Sequence, residues 1–202
     1  TGVTVNTTSG LVSGTPTQSD RSVVNFQITD AAGAAGNRAY AIVAASREDL
    51  ARARTLFNER KFEDAIVAAE LARKTPDTAD AAAIVLARAY LERYRQVADP
   101  ADLGAARTAL GGVNVEKLGT PDRAEYLIAL GGSLFLEDDF GAAAEIFESA
   151  IEIAPAAGEQ TREAVLDWFG SAMERWAAPY TTTRRAAMLE RLVRLMEREQ
   201  AK

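Results

Sequence analysis

This 202-residue chain contains neither cysteine nor histidine. That double absence removes thiol nucleophiles, disulfides, imidazole acid–base catalysis and nearly every zinc site. It leaves the compartment open, because secreted and cytosolic proteins alike can lack cysteine. Long apolar runs are missing as well. The longest, 81–87, falls far short of the roughly 20 residues that cross a bilayer, so no membrane span is expected. Positive charge is also in short supply. A net charge of −6 and an isoelectric point near 4.9 supply no dominant cationic face for a phosphate backbone, and a nucleic-acid partner is not expected. The chain opens at Thr1 without methionine or a signal peptide, which reads as a processed mature form or a piece of a longer chain.

The patterning changes near residue 45. Before it, short apolar alternations are separated by Thr, Ser, Gly and Asn. Val3 and Val5 alternate with polar neighbours, Leu11 and Val12 form a second apolar piece, Val24, Phe26 and Ile28 alternate across Asn25 and Gln27, and Tyr40, Ile42 and Val43 close the set. Four short strands are expected, interrupted at 6–10, 14–20 and 30–36 by turn-forming residues. The run Ser9-Gly10-Leu11-Val12-Ser13-Gly14-Thr15-Pro16, then 24–29, then Asp30-Ala31-Ala32-Gly33, resembles the immunoglobulin-like and cadherin-like modules of bacterial surface proteins. The resemblance covers nearly all of 1–45 and implies an extracellular or cell-surface setting. Asp20 and Asp30 are two isolated loop aspartates, read as turn residues rather than calcium ligands. Asn6-Thr7-Thr8 matches the N-glycosylation pattern, but one match in a Thr-rich stretch carries no weight.

An immunoglobulin-like sandwich uses about seven strands in about 100 residues; four strands in fewer than half that length make an incomplete one. A piece of sheet this small leaves unpaired edges and a bare apolar face. Three sources for the missing half stay open: upstream sequence, the first helices of the same chain, or strands donated by a neighbouring copy. The third would use Val3, Val5, Val24, Phe26 and Ile28 as contact residues and would join copies head to tail, with a filament as the expected product.

From Ser46 the apolar period becomes helical. Helices are expected over 48–58 and 62–74, over 78–97 and 101–110, as two halves of 124–155 broken at 137–139, and over 159–177 and 182–200. In 124–155, Leu130-Gly131, Phe140, Ala143, Phe147, Ala150 and Pro155 stand at the offsets of the tetratricopeptide repeat (TPR), which places small residues where two helices cross. Ala53, Leu56, Phe62, Ala65, Ala69 and Ala72 follow the same offsets, although Arg52 replaces an expected leucine and Pro76 arrives one residue early. The pair within 78–110 is longer than the repeat allows and reads as a degenerate unit. Phe169-Gly170 resembles the small crossing site, Trp168 and Trp176 read as packing for the final pair, and 182–200 reads as a capping helix.

The two resemblances together imply a mainly α chain: a TPR-like α-solenoid of about four helical hairpins over 46–202, preceded by a small, incomplete Ig-like β-sandwich fragment over 1–45. They also imply a concave groove lined by the first helix of each pair. Arg47, Arg54, Phe57 and Asn58 would face it from the first pair, and Ile128 and Phe135, with Leu136, from the third. Catalysis is not expected. Glu137-Asp138-Asp139 sits in one turn, whereas acid–base work needs carboxylates held apart in different environments. Gly111-Gly112 and Gly131-Gly132 lack the setting of a phosphate loop. No cofactor is expected. The leading expectation is a bacterial surface or extracellular protein that assembles with other copies of itself; the rival is a peptide-binding adaptor of an envelope complex whose sheet ends a longer chain.

Overall fold

The computed structural model describes residues 47–201, apart from the side chain of Gln200, and before them the backbone of four strands together with Gly33. The strands are β1 (Val3–Val5), β2 (Val12–Gly14), β3 (Arg21–Thr29) and β4 (Ala35–Val43). β1 pairs antiparallel with β2, and β3 pairs antiparallel with β4 from Arg21 opposite Val43 to Thr29 opposite Ala35. Gly33 takes φ +85° in the β3–β4 connection, a conformation that suits glycine. The side chains of Val3, Val5, Val24, Phe26 and Ile28, and with them the expected strand-sharing contacts, lie outside the described residues.

The rest is helical, so the described protein is mainly α. The helices are α1 (Arg47–Asn58), α2 (Phe62–Ala72), α3 (Ala79–Val97), α4 (Pro100–Gly111), α5 (Thr120–Leu136), α6 (Phe140–Ile151), α7 (Glu159–Ala177) and α8 (Thr182–Gln200), with single 3-10 turns at Val115–Lys117 and Ala154–Ala157. Local chemistry sets the ends. Asp99 caps α4 by accepting the Ala101 N–H at 2.9 Å, with Pro100 opening the helix, and Asp139 caps α6 by accepting from Ala142 N at 3.3 Å. The expected start of α5 at 124 is too late: Pro121, in the first turn, carries the helix back to Thr120. Expected helix at 73–74 gives way to a turn, and the Thr78 hydroxyl donates to Ala72 O at 2.7 Å.

Each helix packs against the next. In addition α1 touches α3, α3 touches α5 and α5 touches α7, whereas α2, α4, α6 and α8 make no comparable contact with one another among the described residues. The odd-numbered helices therefore form a continuous inner layer, and the even-numbered ones splay outside it. The expected degenerate pair, α3 with α4, packs as closely as the first and third pairs do.

The first and third pairs repeat each other 78 positions apart. Phe57, Arg60 and Phe62 recur as Phe135, Asp138 and Phe140. Arg60 and Asp138 both occupy the left-handed region, at φ 62° and 63°. In each turn the next amide reaches back five residues, Lys61 N to Leu56 O at 2.9 Å and Asp139 N to Leu134 O at 3.0 Å, which satisfies a carbonyl at the helix end. The flanking phenylalanines touch in both, with ring centroids 5.7 Å and 5.2 Å apart. The crossings differ in a compensating way. Where the first pair sets Ala53 and Ala69, both fully buried, the third sets Gly131 and Phe147. A Cβ on Gly131 would lie 2.6 Å from Phe147 Cε1, so the phenylalanine fills the space that the missing side chain leaves.

Two apolar cores result. One joins α1 to α4, the other α5 to α8, and α5 belongs to both, sending Ala129 into the first and Ile128 into the second. Buried alanines dominate the first core, which lets its helices approach closely. A charged residue is buried beside it, Asp102 at 2% exposure, whose two oxygens accept from Arg93 Nε at 2.8 Å and from a guanidinium NH2. That hydrogen bond raises the pKa of the Arg93 guanidinium above its usual value. α8 is tied down at its end, where Arg162 donates to Glu199 O at 2.7 Å.

Candidate functional site

The inner layer encloses a groove of about 720 Å³, with walls from α1, α3, α5 and α7. Its floor is small and apolar. On α5, Ile128, Ala129, Gly132 and Leu136 recur at helical spacing, and Gly132 faces Leu91 of α3, with room for a Cβ at 3.7 Å from Leu91 Cδ1. On α3, Arg88, Leu91, Glu92 and Arg95 share one face at i, i+3, i+4 and i+7, so the two arginines stand about 10 Å apart along the helix. α1 contributes Phe57 and Asn58 at its C-terminal end. Gly158, at φ +107°, turns the chain into α7, whose first three turns supply Glu159 to Trp168 along the far wall.

Two of the groove arginines, Arg88 and Arg95, each lie over an aromatic ring and meet a carboxylate. Arg88 sits 4.4 Å from the Phe57 ring centroid and 3.4 Å from Glu125; Arg95 sits 5.2 Å from the Trp168 centroid and donates to both oxygens of Glu92 at 3.0 Å. A guanidinium over a ring face is attracted to it and keeps N–H donors for other partners. The lining carries three arginines, Arg60, Arg88 and Arg95, and three glutamates, Glu92, Glu125 and Glu159. It offers an apolar floor between alternating charges.

Of the expected groove residues, Phe57, Asn58, Ile128 and Leu136 line it. Phe135 does not, because Trp168 covers it edge-on at 5.1 Å and Phe140 closes its other side. The repeat explains the difference. Arg88 lies over Phe57, which still lines the groove, whereas the edge of Trp168 meets Phe135, which does not. Arg54 reaches instead to an ion pair with Asp122 at the start of α5. Arg47 lies exposed at the opposite end of α1 from Phe57, outside the lining. α3 and α7 were expected in the groove as the first helices of their pairs, but none of their residues was named; on α3 the signal was the i, i+3, i+4, i+7 set.

Two other expectations are corrected. Gly170 has nothing within 4 Å of a built Cβ and marks no helix crossing; the close approach is at Gly141, where a Cβ would lie 3.1 Å from Trp176 Nε1. Trp168 and Trp176 therefore reach α5 and α6, outside the final pair: Trp168 is stacked on Phe147 at 5.8 Å and meets Phe135 edge-on. Among the described residues no helix is long and apolar enough to cross a membrane, and no group of three or more acidic residues is placed to hold a metal ion.

Comparison with known proteins finds no matching family model, no matching curated protein and no matching solved structure. The functional reading rests on the groove's own geometry.

Proposed function

We propose that this chain is a non-catalytic protein-interaction module, a TPR-like array whose groove holds an extended segment of another protein. The observation that supports this most is the pair of arginines on α3, each placed over an aromatic ring at one wall of a concave, small-residue floor. Tryptophan and arginine are the residue types that concentrate binding energy at protein interfaces. The carboxylate already facing Arg95 is a weak competitor: Arg95 and Glu92 form an i,i+3 pair of the kind worth a few tenths of a kcal/mol. A ligand carboxylate displaces Glu92 while an apolar ligand side chain meets Leu91 and Ile128. Selection of peptides from a displayed library tests this. Enriched peptides should bind the parent chain and lose at least about tenfold in affinity with Arg88→Ala or Arg95→Ala; equal binding to both variants contradicts it.

A second reading draws on the strands. Among the described residues neither β1–β2 nor β3–β4 has a third strand, and β3 and β4 each expose nine residues of edge. Backbone left unpaired in this way favours strand addition from a neighbouring copy, in the cell-surface setting that the Ig-like resemblance of 1–45 implies. Hydrogen exchange compares the readings. Amides of β3 and β4 whose protection rises with protein concentration support strand sharing; protection that is independent of concentration contradicts it.

A further inference from the structure

The charges that line the groove differ in whether the chain already uses them. Each glutamate is matched by an arginine: Glu92 by Arg95 at 3.0 Å, Glu125 by Arg88 at 3.4 Å and Glu159 by Arg162 at 2.8 Å. Arg60 is the exception. Among the described residues its side chain has no ion-pair, hydrogen-bond or ring partner. The acidic residues nearest in sequence are engaged elsewhere: Glu59 meets Lys61 at 2.7 Å, Asp64 lies toward Lys61 and Glu63 toward Arg93, and none of the three lines the groove. The backbone makes an arginine here costly. Residue 60 sits at φ 62° in the turn between α1 and α2, a left-handed position that glycine fills without strain. Its counterpart in the third pair is Asp138, whose short polar side chain tolerates that conformation. The bond that closes the turn, Lys61 N to Leu56 O, uses backbone alone. Arg60 is thus held against its backbone preference while its charge makes no contact within the turn.

We infer that Arg60 determines the specificity of the groove, and that the ligand is a peptide that sets an aspartate or glutamate side chain against it. This rests on the reading of the groove as a peptide site. A carboxylate brought to Arg95 must displace Glu92, and one brought to Arg88 must displace Glu125, whereas one brought to Arg60 displaces only solvent. Once the pairs are counted, the lining keeps one uncompensated positive charge in a chain of net charge −6. Phe57 and Phe62 flank the turn, touch each other at 5.7 Å and also line the groove, so an apolar ligand residue fits beside the acidic one. The expected ligand feature is an acidic residue next to an apolar one, held at the α1 end of the groove.

Peptides selected from a displayed library on the full chain test this, once synthesised with amidated C-termini so that only side-chain carboxylates remain. Binding is read by fluorescence anisotropy and stability by urea unfolding. Arg60→Gly should raise the urea midpoint, because glycine suits φ 62°, and should weaken binding about fivefold. Arg60→Glu should weaken it at least about tenfold, and exchanging the peptide's acidic residue for lysine should restore affinity for that variant while lowering it for the parent chain. An arginine kept only for structure would give neither the opposite signs in the two assays nor the rescue by charge exchange. Peptides that depend on Arg95 but bind Arg60→Gly and Arg60→Glu as tightly as the parent chain overturn the inference and leave the groove reading standing. So does loss of binding on amidation, which would assign the contact to the chain terminus, and so does a lowered midpoint with Arg60→Gly, which would make residue 60 a structural part of the turn. Peptides insensitive to Arg95→Ala as well would remove the groove reading and this inference with it.

Discussion

Replacing Gly131 by alanine sets two opposing effects against each other. Alanine in a helix interior is favoured over glycine by about 1 kcal/mol, so a glycine this deep in α5 needs a reason. The reason is Phe147. A Cβ at 131 would stand 2.6 Å from Cε1 and 2.9 Å from Cδ1 and Cζ of that ring. Carbon atoms in contact sit at about 3.5 Å or more, so the overlap is about 0.9 Å against one atom and about 0.6 Å against two others. The ring has no room to retreat, being 0% exposed and stacked on Trp168. Overpacking of this kind costs about 1–3 kcal/mol, which outweighs the propensity gain, and a net loss of about 1–2 kcal/mol is expected. Gly170→Ala is the internal control, with no atom within 4 Å of its built Cβ; it should gain up to about 1 kcal/mol. Urea unfolding followed by helical ellipticity and by tryptophan emission measures both, since both tryptophans lie on α7 and report the second core. Equal stabilisation by the two substitutions would refute the close crossing of α5 and α6.

Other perturbations follow from the same packing. Arg93→Met strands the Asp102 carboxylate at 2% exposure and should cost about 3 kcal/mol, while Arg93→Met with Asp102→Leu should recover most of it, measured by chemical denaturation. Thr78→Ala removes the buried hydroxyl bond to Ala72 O and should destabilise by about 1 kcal/mol, read as a lowered urea midpoint with unchanged slope. Asp139→Ala removes the cap of α6 and should cost about 1 kcal/mol, again by urea midpoint. Gly141→Ala should shift the emission of Trp176 with a stability change below about 1 kcal/mol, because the built Cβ meets the indole at 3.1–3.5 Å, where a small adjustment suffices.

The helices were legible because their signals are local: a period near 3.6, Asp99-Pro100, Asp139 and the three-residue turns at 59–61 and 137–139. The crossing at Gly131 was legible too, since a glycine opposite a phenylalanine is a packing pattern carried by residue type. Gly170 shows the limit. The same pair of letters, a large apolar residue followed by glycine, marks nothing there because no neighbour approaches. Groove membership depended on tertiary cover. Phe57 and Phe135 are equivalent in sequence, and only the residue that α3 or α7 lays over each, Arg88 or Trp168, decides which one a ligand could meet. The residues of the α3 wall went unnamed for a related reason, since the second pair departs from the repeat pattern in length yet keeps its place in the inner layer.

The most direct measurement is photo-crosslinking of a library-selected peptide to the full chain, followed by mapping of the attached residues. Attachment should fall on the groove-facing segments of α1, α3, α5 and α7, at 57–60, 88–95, 125–136 and 157–168, and should weaken with Arg95→Ala. Attachment on the outer faces of α2, α4 or α6, undiminished by that substitution, would contradict a function carried by the groove.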